Sequence, residues 1–105
     1  MEVESYELQG ALVIVAQGAY DLDSLAPLSA MLETAASASS PVVLETSGVT
    51  FADSTMLNLL LHTHRAIDLR IAAPSAQLRR LLEITGADTV LVVRPTVEDA
   101  ASQTD

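Results

Sequence analysis

The chain contains no cysteine, no lysine and no tryptophan. Without cysteine it can have no disulfide framework, no thiol nucleophile and no thiolate metal site. Without lysine, its positive charge rests on five arginines against fourteen acidic residues, a net charge of −9. That balance opposes sequence-independent binding to nucleic acid or to an anionic membrane, both of which need basic side chains to neutralise phosphate. It suits solubility and a basic protein partner. Aromatics are scarce too. Tyr6, Tyr20 and Phe51 are the whole set, so the core has to be built from aliphatic side chains. The four glycines stand far apart, which excludes both G-x-x-x-x-G-K-[ST] and G-x-G-x-x-G phosphate cradles. Every apolar stretch falls well short of the ~20 residues that span a bilayer. The opening MEVESYE lacks the positive charge with which a signal peptide begins. A soluble, cytoplasmic protein is expected.

What remains is 105 residues, half of them hydrophobic, enough for one domain with one core. Residues 3–8 (VESYEL) alternate loosely and 11–16 (ALVIVA) run apolar, joined by Gln9-Gly10. A two-residue link containing glycine predicts an antiparallel hairpin. Gly18 and Asp21 flank a turn, after which Ser24 can cap a helix with Pro27 in its first turn. Leu25, Leu28, Leu32 and Ala35 follow at helical spacing, and ASASS ends the run. PVVLET (41–46) is a short strand, Ser47-Gly48 a turn, and FADST a loop leading into a leucine-rich helix that reaches about residue 66. LRIAA (69–73) is a strand. Pro74-Ser75 starts a helix that stops at Gly86, and TVLVV (89–93) is the last strand. Thr96, with Asp99 three residues on, caps a final helix, and from about residue 100 a polar tail is expected to fray. About five strands and four helices in this alternation predict an α/β domain, mostly parallel after the opening hairpin. In such sheets partners and ligands meet the loops at the carboxyl ends of the strands, and FADST is one of those.

Enzyme chemistry is weakly represented. His62 and His64 are two apart on a helix and point to different faces, a poor metal spacing. A Ser54–His62–Asp53 triad fails on distance, since His62 lies about two turns, roughly 10 Å or more, along the same helix. A wheel over 55–66 puts Leu57, Leu60, Leu61 and His64 on one face, assigned to the core. Thr55, Leu59 and His62 fall nearly opposite, flanked by Met56 and Asn58, as a small mixed patch facing away from it.

These residues resemble a known family. LETSGVTFADSTMLNLLL is similar to the signature of bacterial STAS-domain anti-sigma factor antagonists, broadly L-D-L-S-G-V-x-F-x-D-S-[ST]-G-L. GAYDLDSLAPL resembles their G-E-L-D segment with its following helix. RIAAPSAQLRRLLEITGADTVLVVRPTVEDA resembles their strand–helix–strand–helix ending. The resemblance implies a STAS fold over residues 1–105 and a non-enzymatic regulator without cofactor or metal. It implies one partner, an anti-sigma factor that is itself a serine/threonine kinase. It also implies that Thr55 is the phosphoacceptor, with Asp53, Ser54 and Asp21 beside it, and that Met56, Asn58, Leu59 and His62 belong to the partner-binding surface. Three positions depart from the pattern. Met56 stands where the family has glycine, which sets a bulky side chain beside Thr55. Glu45 replaces an aspartate, and Ala66-Ile67-Asp68 shortens a glycine-containing loop.

Other readings of the same cluster stay open. Ser54 can act as a plain helix cap. The domain can be a constitutive interaction module, never phosphorylated, in a signalling or transporter complex. An enzyme using Asp21, Asp53 and Thr55 is the distant third.

Overall fold

A computed structural model of the protein describes residues 3–20, 25–36 and 41–102. The Asp21 turn, the Ser24 cap and most of the ASASS stop fall outside these residues. The element order is β1 (Val3–Leu8), β2 (Ala11–Tyr20), α1 (Ala26–Ala36), β3 (Val42–Ala52), α2 (Ser54–Ala66), β4 (Leu69–Ala72), α3 (Ala76–Thr85), a 3-10 turn (Ala87–Thr89), β5 (Val92–Arg94) and α4 (Val97–Ser102). The five strands form one sheet in chain order, with β1 antiparallel to β2 and the remaining pairs parallel.

Local chemistry accounts for most of the boundaries. Gln9 and Gly10 both take positive φ, +52° and +83°, the conformation a two-residue hairpin needs. Ser75 caps α3 by accepting from the Leu78 amide at 3.2 Å, and Gly86 closes that helix in the left-handed region. Thr96 accepts from the Asp99 amide at 3.0 Å at the start of α4.

The sheet order dictates where the helices lie. Parallel strands added in one direction through right-handed crossovers place every crossover helix on the same face. Accordingly, Leu28 and Leu32 of α1, Met56 and Leu60 of α2, and Leu78 and Leu82 of α3 share one core with Ile14, Leu44 and Ile71 of the sheet. The alternate strand residues Ala11, Val13, Val43 and Ala72 form a second, smaller core, covered by Ala100 and Ala101 of α4. Ala100 is fully buried, so the chain stays packed at the position where a fraying tail was expected.

Three strand expectations change. β2 and β3 run on to Tyr20 and Ala52, past the expected ends at 16 and 46. Ser47-Gly48 is no turn; it sits within β3 at a register shift, where Val15 pairs with Glu45 but Gln17 pairs with Gly48. One extra β3 residue is accommodated there as a bulge. The Glu45 carboxylate accepts from the Ser47 amide, so the amide released from the ladder keeps a partner. Glycine suits position 48 because a Cβ there would sit 3.0 Å from Gln17 Cγ. The third change concerns 89–93, whose first residue ends a 3-10 turn while the strand proper begins at Val92. That turn seats Leu91 in the core and leaves Val90 exposed, an exposure that an apolar run does not announce.

Candidate functional site

Beyond Glu45, β3 pairs only with β2 among the described residues, because β4 partners residues 42–45 alone. The last residues of β2 and β3 therefore project past the rest of the sheet. α2 springs from the tip of this projection.

Asp53 is the joint. Its backbone is extended, its Oδ1 accepts from the Thr55 amide at 3.0 Å, and its carbonyl accepts from the Leu57 amide at 3.1 Å. Asp53 is thus the N-cap, and Ser54, expected to close the helix, is its first residue and is exposed. An aspartate suits the place, since it satisfies a free amide and sets negative charge against the positive end of the helix dipole. Thr55 is half-buried, with its amide held by Asp53.

The helix is rotated relative to the wheel drawn from sequence. Its buried residues are Met56, Leu57, Leu60 and Thr63, while Leu61 and His64 are half-buried. At 100° per residue the buried arc is displaced by about 60° from the leucine-richest direction. The neighbour responsible is α1, which packs beside α2 as well as over the sheet. Met56 is consequently a core residue, 0% exposed, and lies beneath the helix start rather than on the expected partner-facing surface. The side chain that replaces the pattern's glycine points inward and leaves the ground beside Thr55 clear. Leu59 is half-buried, lining with His62, Leu32 and Glu33 an open groove of about 280 Å³ between α1 and α2. Asn58 and His62 are exposed as expected. Asp21 lies outside the described residues.

Phe51, absent from the expected site, is 45% exposed two residues before Asp53. The register shift that turns it outward leaves no mark in composition or periodicity.

The family model described as "Mlab, STAS domain" matches residues 5–94. The chain belongs to the STAS-domain family. Among solved structures, this STAS domain is similar to an anti-sigma factor antagonist from Mycobacterium paratuberculosis, with a TM-score of 0.87 and 24% identity over 94% of this chain and 89% of that one. It is also similar to the anti-sigma factor antagonist SpoIIAA in its unphosphorylated form, with a TM-score of 0.74 and 18% identity over 94% and 92% of the two chains. The phosphorylated form of SpoIIAA from Bacillus matches with a TM-score of 0.69 and 18% identity over 94% and 96%. At these identities the structural likeness establishes the fold. No curated protein sequence matches the domain. Among the described residues, no helix of the STAS domain is long and apolar enough to cross a membrane.

Proposed function

We propose that this STAS domain is a non-enzymatic, cytoplasmic anti-sigma factor antagonist. It binds an anti-sigma factor that is also a serine/threonine kinase, displaces the sigma factor, and is switched off by phosphorylation at Thr55. The observation that carries the proposal is the α2 start, where Asp53 fixes the backbone of Thr55 at a projecting corner of the sheet and Met56 is turned into the core. The fold of an antagonist known in unphosphorylated and phosphorylated forms supports it. Asn58 and His62, exposed further along α2, and Leu59 between them complete the contact surface on the helix side.

The switch follows from charge. The kinase transfers the γ-phosphoryl group of ATP to Thr55 Oγ1, whose proton departs while ADP is left. The product carries about −1.5 to −2 charges at neutral pH. Within the domain, the helix dipole favours that charge by about 0.3–1 kcal/mol, and the Asp53 carboxylate opposes it. Across the interface the balance is one-sided. The new charge has to be desolvated while it faces the nucleotide phosphates from which it came. Binding breaks and the fold survives.

Incubation with the purified anti-sigma kinase and ATP, followed by intact mass, tests this. One added phosphoryl group that Thr55→Ala abolishes, with loss of binding, is the expected result. Tight binding with unchanged mass would instead make the domain a constitutive interaction module, in a signalling or transporter complex.

A further inference from the structure

Residues Val49 to Ala52 break the alternation of a regular strand. In an unbulged strand Phe51 would share the face of Val49, against the helices, and Ala52 would point away. Instead, Gly18 pairs with Val49 and the next β2 residue, Ala19, pairs with Phe51. The extra β3 residue, Thr50, reverses the facing of Phe51 and Ala52. Val49 and Ala52 pack on the main core. Phe51 shares the face of Ala19, which lies an even number of residues from Val13 and so is on the α4 side of the sheet. The one phenylalanine of the chain is left 45% exposed while an alanine turns inward. A bulge that turns a large apolar side chain to solvent is poor packing, and bulges beside functional segments are where strands re-aim side chains.

We propose that Phe51 is the apolar anchor of the interface controlled by Thr55, entering a hydrophobic pocket of the anti-sigma partner that is edged by lysine or arginine. The inference rests on the function proposed above. Phe51 lies two residues before the cap and four before Thr55, at the same projecting tip but on the sheet face away from α2, so a partner that reaches both wraps the tip. Large aromatic side chains surrounded by weaker contacts carry most of the energy of such interfaces. Asp53 at the corner, in a chain of net charge −9, calls for a basic rim on the partner. A second copy of this chain would instead bring acidic surfaces together.

Tyr6 supplies the contrast. It is 46% exposed on the same sheet face, paired with Val13 well down the strands from the corner. Because the chain has one phenylalanine, para-fluorophenylalanine labels position 51 alone. Its fluorine resonance is expected to shift on addition of the purified anti-sigma partner, and an unmoved resonance in a sample that binds by calorimetry overturns the anchor. Phe51→Ser is expected to weaken binding about 30-fold or more, the scale of an interface hot spot. Tyr6→Ser should bind like wild type, with the melting temperature of each variant measured alongside. Undiminished binding by Phe51→Ser, or an equal loss in Tyr6→Ser, overturns the anchor and leaves the proposed function standing. If the wild-type domain binds no anti-sigma factor, both fall together.

Discussion

The Arg70 guanidinium ties the last helix to the sheet: its Nη1 donates to the Ala100 carbonyl at 2.7 Å, while Nε and Nη2 hold the Asp68 carboxylate at 3.3 and 2.9 Å. Arg70 is almost wholly buried, and its contact with the Ala100 carbonyl is buried too, so water cannot replace that one. α4 is only six residues long and has no stability of its own. Arg70→Met is expected to destabilise the domain by about 2–3 kcal/mol, the range for a hydrogen bond to a charged group plus an unpaired carbonyl. Arg70→Lys should not restore it, because an ammonium cannot bridge both partners. Urea denaturation, with amide exchange at Ala100 and Ala101, checks both.

The ion pair itself is expected to matter less than the carbonyl contact. Asp68 has a side chain 55% exposed, and pairs open to solvent contribute about 0–1 kcal/mol. Asp68→Asn should therefore shift the urea midpoint only slightly. A loss as large as that of Arg70→Met would show that Asp68 is needed to orient the guanidinium.

Asp53 and Ser54 can be told apart by the same measurement. Removing the cap in Asp53→Ala should cost about 1 kcal/mol, and Asp53→Asn much less. Ser54→Ala, at an exposed first-turn position, should be close to neutral. The reverse order would return the cap to Ser54.

Met56 offers a sharper test. Replacing it with glycine, as the family pattern has it, empties a fully buried site and puts glycine in a helix. About 3–5 kcal/mol should be lost, combining a large-to-small core change with the helix cost of glycine. Met56→Leu conserves volume and should cost less than about 1.5 kcal/mol. A stable Met56→Gly variant would mean that the first turn of α2 repacks.

Phosphorylation at Thr55 should leave the melting temperature nearly unchanged, since the dipole and Asp53 terms oppose each other within about 1 kcal/mol. Scanning calorimetry of the phosphorylated and unmodified domains measures this apart from binding. Extensive destabilisation would make the switch an unfolding event rather than an interfacial one.

Much of this architecture is written locally. Gln9-Gly10, Ser75, Gly86 and Thr96 each act within a few residues of themselves, through allowed backbone angles or a capping hydrogen bond, and each sits where its chemistry predicts. The alternation of apolar strands and helices was legible for the same reason, as was the corner that joins Asp53, Ser54 and Thr55. The sequence by itself thus determined the order of elements, the family pattern and the position of the candidate switch.

Tertiary contacts decided the rest. Which arc of α2 is buried depends on α1 as well as the sheet, so Met56 went inward and Leu61 to the margin despite the leucine pattern. The facing of Val49, Phe51 and Ala52 depends on how β3 registers with β2, and one extra residue reverses every side chain after it. Periodicity records only distances along the chain. Facing and burial are relations between segments, and they placed Phe51 on the outside of the protein, on the strand end that leads into the Asp53–Thr55 corner.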